Sequence, residues 1–407
     1  MMGMLATWRV TVALASLQMA AAACGGAGWA AGTSTNVRLA FGGSSYTHIV
    51  RTPTNYDAAV PTPLLLYFHG WGSSAYECSE LCEDFARAGF ITASLTGIGG
   101  AGWASWNGAG TTESPGADGR TCHPSSENYC VHYSSCERAC ADNCWWTTCE
   151  DSVQQTLDVL DYLEGVLCIK TSMIWAIGCS NGATFLFELA RDARSAPRLA
   201  GIAPLIGLPH NGFNFGPAVP MHFFGIWGVN DRIMPPMSNT DDPTKAFDTT
   251  FSGWYFSTAR NTTDRWADVL GCGSRVDASA KFGISDHAVF SAGITGTGCT
   301  ARLGGTCGRS TVTVVECIAD SGHVCAEKLP SAPLLAFMSS RASCSPTPTT
   351  DPTPSPTPTR TEPTVLPTPA STELMADEKV DVGATIATTY AEVLAATVAL
   401  WLTLDMM

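Results

Sequence analysis

Basic residues are scarce in this chain. Its 407 residues hold 22 Lys and Arg against 36 Asp and Glu, a net charge of −14. Binding to nucleic acid needs clustered basic side chains to displace counterions from phosphates, so the balance argues against that class of partner. It suits a solvated extracellular surface. Apolar runs of membrane-spanning length are missing too: the first, near the N-terminus, and the last, residues 393 to 404, are both too short. No CxxC pair occurs, which disfavours zinc. No nucleotide or metal motif appears and no internal repeat, so no cofactor is expected.

Cysteine is abundant. Seventeen are present, six of them in "TCHPSSENYCVHYSSCERACADNCWWTTC", at Cys122, Cys130, Cys136, Cys140, Cys144 and Cys149. The opening "MMGMLATWRVTVALASLQMAAAAC" has Arg9, an apolar stretch and a run of small residues, the layout of a secretory leader over residues 1–23. Cleavage after Ala23 fits; Ala30 and Ala31 would also serve, and Cys24 is a weak lipid-attachment site. In a secreted chain the cysteines imply disulfides, and sixteen remain if Cys24 leaves with the leader.

Residues 36–342 form one catalytic-sized domain in which short β-type runs ("VRLAF", "LLLYFHG", "FITASL", "SMIWAIG", "GIAPLIG", "MHFFGIWG", "STVTVVEC") alternate with helical patterns ("SELCEDFARAG", "EDSVQQTLDVLDYLEGVL", "NGATFLFELARDAR"). That alternation predicts an α/β fold with a mostly parallel central sheet. Residues 345–372 alternate Pro and Thr, the composition of an extended stalk. Residues 373–407 read either as a glycolipid-anchor signal, hence a membrane tether, or as a plain amphipathic tail. A monomer is expected. Asn261, in "NTT", is the sole N-glycosylation sequon and suggests a surface loop.

The stretch "MIWAIGCSNGATFLF" places Ser180 between Gly178 and Gly182, where a strand becomes a helix. A G-x-S-x-G pattern is weak alone and informative in that setting, where small neighbours clear space for a nucleophile at the sheet's C-terminal edge. A serine needs a base to take its proton and an acid to orient the base. Asp231 follows the strand in "HFFGIWGVNDRIMPP", and His323 follows the strand in "VTVVECIADSGHVCAEK". The order Ser180, Asp231, His323 is the one such folds use. His287 is a rival base and Asp320 a rival acid. The backbone N–H groups of Trp71, in "LLLYFHGWGSS", and Asn181 are the expected oxyanion donors, with His69 orienting the loop.

From "YFHGWGSS", the block from Glu150 to Ala183 that ends in "GCSNGA", "GVNDRIMP", "RWADVLGCG" and "DSGHV", the chain resembles the α/β-hydrolase family of secreted feruloyl esterases and polyhydroxybutyrate depolymerases. The resemblance covers about residues 47 to 340. It implies an α/β-hydrolase fold with disulfide-rich insertions, and gives the triad roles to Ser180, Asp231 and His323. Ala183 stands where many relatives have Gly, and Val324 where many have Trp. The cysteine-rich block is expected beside the active site, with Trp103 and Trp106 stacking on an aromatic acyl group. Feruloyl ester cleavage on cell-wall polysaccharide is the leading expectation and polyester depolymerisation the second. The third is a non-catalytic surface protein on a hydrolase scaffold.

Overall fold

The computed structural model describes residues 24, 29–100, 102–126, 129–136, 144–249, 253–280, 298–307, 310–325, 331–339 and 341. The leader, the stalk, the tail and His287 lie outside the described residues.

Runs such as "LLLYF" are apolar at every position because both faces of their strands are covered. In β3 (Thr62–Phe68), Leu64, Leu66 and Phe68 enter one core cluster while Leu65 and Tyr67 enter the other. β5 (Ile169–Cys179) alternates likewise, with Ile174 and Ala176 on one side and Trp175 and Ile177 on the other. Burying one such large side chain is worth about 1.5–3 kcal/mol, so the paired cores hold the sheet between its helices.

Ten strands form the sheet, in the order β1-β2-β4-β3-β5-β6-β7-β12-β11-β10. β4 (Ile91–Leu95), β3, β5, β6 (Gly201–Leu205), β7 (His222–Gly228) and β12 (Ser310–Ala319) are mutually parallel. β1 (Ser34–Phe41) and β2 (Ser44–Arg51) join one side antiparallel, and β11 (Gly298–Cys307) and β10 (Cys272–Asp277) join the other. This is the α/β-hydrolase order with two antiparallel strands added beyond β12. The helices are α1 (Ser79–Arg87), α2 (Ser152–Val166), α3 (Asn181–Arg191), α4 (Ala259–Val269) and α5 (Ser331–Met338). Asp151 caps α2 by accepting from Gln154 N–H at 2.9 Å, and Thr258 caps α4 by accepting from Asn261 N–H. A small hairpin of β8 (Lys245–Phe247) and β9 (Tyr255–Ser257) lies apart from the sheet.

Six disulfides are described: Cys24–Cys168, Cys78–Cys82, Cys122–Cys144, Cys136–Cys149, Cys179–Cys325 and Cys299–Cys317. Cys24 is thus a bonded residue. A lipid on Cys24 needs a free thiol and is not compatible with this bond. The loop placement of Asn261 is corrected as well. Asn261 sits in the first turn of α4 instead of a surface loop, and its Thr263 is buried with its hydroxyl donating to Ala259 C=O and bonded to Glu316.

Gly178 and Gly182 let β5, α3 and β3 meet backbone to backbone. A Cβ on Gly182 would lie 2.2 Å from the Phe68 carbonyl oxygen, and one on Gly178 would lie 2.4 Å from that of Gly182. Backbone cannot yield as a flexible side chain does, so Gly182→Ala is expected to destabilise the domain by about 3 kcal/mol or to prevent folding. Thermal unfolding of the purified variant measures it; a Tm within a degree or two of wild type would contradict the packing.

Candidate active site

Ser180 occupies the turn between β5 and α3 with φ +51° and ψ −117°, a left-handed strained conformation for a residue with a side chain. Its N–H donates to Leu205 C=O at 3.0 Å and its C=O accepts from Thr184 N–H at 2.9 Å, so the turn is held from both ends. Oγ lies 2.9 Å from His323 Nε2, and His323 Nδ1 lies 2.8 Å from Asp231 Oδ2. The other Asp231 oxygen, Oδ1, accepts from the N–H groups of Ile233 (2.8 Å) and Met234 (3.0 Å). That anchoring leaves Oδ2 to the imidazole and directs the Nδ1 proton toward Asp231, so that Nε2 faces the serine hydroxyl as an acceptor. Asp320 instead receives the Asn230 side-chain amide at 3.1 Å.

The loop after β3 approaches this serine from the opposite side. A Cβ placed on Gly70 would be 3.5 Å from Ser180 Cβ. Gly70 N–H donates to Glu77, Gly72 N–H to Ala104 C=O and Ser73 N–H to Gly70 C=O. The N–H groups of Trp71 and of Asn181, the first residue of α3, have no partner among the described residues. His69 is fully buried and accepts from Gly97 N–H through Nε2 at 2.9 Å, so its Nδ1 proton goes to Gly70 C=O at 2.6 Å. Burial pushes its pKa down to about 4, against the opposing pull of the Gly70 carbonyl. It acts as a neutral brace for the loop.

Ser180 and His323 open into a cavity of about 270 Å³ with Trp71, Tyr129, Trp146, Ile233, Met234, Trp254 and Phe256 in its walls. Tyr129 and Trp146 come from the cysteine-rich segment, which the Cys122–Cys144 bond closes over the loop. The Trp71 indole donates to Tyr133 Oη at 2.7 Å. Trp146 donates to His210 Nε2 at 2.9 Å, so His210 gives its Nδ1 proton to Tyr255 C=O at 3.0 Å. Trp254 reaches Trp146 through a backbone bridge with Cys122, and their rings lie 5.2 Å apart.

Two sequence expectations need correction here. Trp106 is fully buried, donates its indole N–H to His69 C=O and packs on Phe68 and Phe185, leaving no face for a substrate. Trp103 stacks on His132 at 3.6 Å and does not line the cavity. The walls are instead Tyr129, Trp146 and Trp254. Glu77 is also in the wall, and no sequence motif marks it. The one available signal was Trp146's position just after a cysteine of the dense block.

His48, His69 and His210 are each lowered from 6.5 to about 4 by burial. The unfolded chain therefore binds more protons than the folded one between about pH 6.5 and 4, and stability falls as pH drops through that window. Tm measured from pH 7 to 4 should show the decline, and His210→Gln should make it shallower; a flat profile would be evidence against burial of these rings. Replacing both Cys179 and Cys325 by Ala frees the loop that carries His323. It is expected to lower kcat about tenfold or more with a fall in Tm; unchanged kcat would show that the bond does not hold the base.

No protein-family model matches the sequence, and no curated protein matches it significantly. Among solved structures, the esterase Est2 of Thermogutta terrifontis is 10% identical with a TM-score of 0.34, over 50% of this chain and 72% of that one. A 2,6-dihydroxy-pseudo-oxynicotine hydrolase is 15% identical at 0.32, over 49% and 54%. An esterase of Pyrobaculum calidifontis is 13% identical at 0.28, over 47% and 50%. The chain spans about half the length of the last two. The fold assignment rests on the strand order and the elbow, which these scores do not extend.

Proposed function

We propose that the chain is a secreted serine carboxylesterase that releases hydroxycinnamoyl groups from plant cell-wall polysaccharide. The observation that carries the ester-cleaving part is the hydrogen-bonded line from Ser180 through His323 to Asp231, with two unclaimed amides beside the serine. Ser180 Oγ attacks the ester carbonyl while His323 Nε2 accepts its proton. The N–H groups of Trp71 and Asn181 receive the developing oxyanion. His323 returns the proton to the departing sugar hydroxyl, leaving the acyl group on Ser180. A water molecule, deprotonated by His323, then attacks that acyl carbonyl, and the carboxylic acid leaves as Ser180 is restored.

The aromatic walls support a planar aromatic acyl group, which stacks on indole faces. Disulfides and the leader-like opening support an extracellular setting. Ile233 and Met234 supply an aliphatic side, which favours polyester depolymerisation as the second reading.

The test is turnover of methyl ferulate, p-nitrophenyl acetate and a hydroxybutyrate oligomer by the full chain. Ferulate release that Ser180→Ala lowers by about 10⁴-fold or more is the expected result. Preferred release of hydroxybutyrate would move the assignment to the second reading. No turnover of any ester, with no labelling of Ser180 by a fluorophosphonate, would make the chain a non-catalytic relative.

A further inference from the structure

Among the described residues, Glu77 is the one acidic side chain in the cavity wall and no Lys or Arg is found there, and the hydrolytic steps above do not use it. It lies on a single 3₁₀ turn, Ala75–Cys78, that begins just after the loop carrying Trp71. Ser74 caps that turn, and the Cys78–Cys82 bond ties its end to α1. The backbone therefore fixes where the carboxylate can reach.

The fully buried Tyr67 donates its hydroxyl to Glu77 Oε1 at 2.8 Å. Gly70 N–H points between the two carboxylate oxygens, 3.0 Å from Oε1 and 3.2 Å from Oε2. This grip fixes the peptide that joins His69 to Gly70, Ser73 N–H and His69 hold the Gly70 C=O, and Gly72 N–H on Ala104 C=O fixes the peptide after Trp71. Trp71 N–H lies between these two pinned peptides and has no partner among the described residues. Glu77 also comes within 4.8 Å of the sulfurs of Cys179 and Cys325, but these share a disulfide and have no thiolate to give a metal.

We propose that Glu77 is a positioning residue of the oxyanion loop, acting beside His69 through the Gly70 amide to aim Trp71 N–H at the transition state. The proposal rests on the serine-esterase reading. The side chain works by reach and acceptor geometry, which a carboxylate and an amide of the same length both supply.

The experiment compares Glu77→Ala, Glu77→Asp and Glu77→Gln in the full chain, with wild type and Ser180→Ala alongside. Asp keeps the charge and loses the reach; Gln keeps the reach and an acceptor oxygen and loses the charge. Ala and Asp are expected to lower kcat for p-nitrophenyl acetate about 10- to 100-fold, with KM within about threefold, because an oxyanion donor acts only in the transition state and tolerates little displacement. Gln should restore most of kcat. Inhibition by phenylboronic acid, whose serine adduct places an oxygen at the oxyanion position, should weaken in Ala and Asp in proportion to kcat/KM. The proposal is overturned if Ala and Asp both keep kcat within about threefold of wild type, if Asp outperforms Gln, or if boronate affinity holds while kcat falls. Should Ala fail to fold, the Asp-to-Gln ratio decides alone. Activity persisting in Ser180→Ala would instead refute the site reading.

Discussion

The bond between Cys179 and Cys325 joins two segments that the sheet alone would only bring near each other. Cys179 ends β5 and directly precedes the nucleophile; Cys325 lies two residues past the base. Ser180 is committed to a strained turn by Gly178 and Gly182, which admit no side chain. His323 has no such backbone commitment, because it follows β12 on a loop. The covalent link transfers the rigidity of the elbow to that loop. Across 2.9 Å the base and nucleophile then face each other without needing the whole loop to be packed in the core.

A second layer of constraint surrounds the cavity, and it runs through neutral histidines. His69 bridges the loop after β3 to Gly97, and His210 bridges Trp146 to Tyr255. Each is buried and uncharged, so each ring has one donor and one acceptor, and both are used. The cysteine-rich segment contributes walls it could not place by hydrophobic packing alone. Cys122–Cys144 and Cys136–Cys149 close short loops, and Tyr133 binds the Trp71 indole from within that segment. The site is assembled by cross-links on one side and by the sheet on the other.

This division explains what could be seen in the sequence. The parallel core was legible because strands covered on both faces are apolar throughout, as "LLLYF" and "MIWAI" are. The order Ser180, Asp231, His323 was legible because each residue follows a strand in a polar or small-residue turn. The edge strands were harder: β10, "CGSRVD", is mostly exposed and carries little apolar signal. The walls were illegible for a different reason. Trp103, Trp106, Trp146 and Trp254 look equivalent in sequence, and only the bridging of Cys122 to Trp254 and the burial of Trp106 against Phe185 assign them to opposite sides of a wall. Glu77 was hidden because one of its partners is a backbone amide, which every sequence offers, and the other, Tyr67, belongs to no motif.

The two strands added beyond β12 also decide what the sheet shows to its surroundings. Because β11 and β10 continue the ladder, the strand that delivers His323 is interior, and Cys299–Cys317 rivets it to its neighbour. The outer rim becomes β10, short, irregular between Cys272 and Arg275, and bearing Arg275 and Asp277. At the far rim, β1 buries only Val37. Among the described residues, neither border offers the flat apolar ladder on which a foreign strand could dock. A ten-stranded sheet of this width is thereby kept from growing by recruitment, and the machinery near its centre is insulated from whatever happens at its margins.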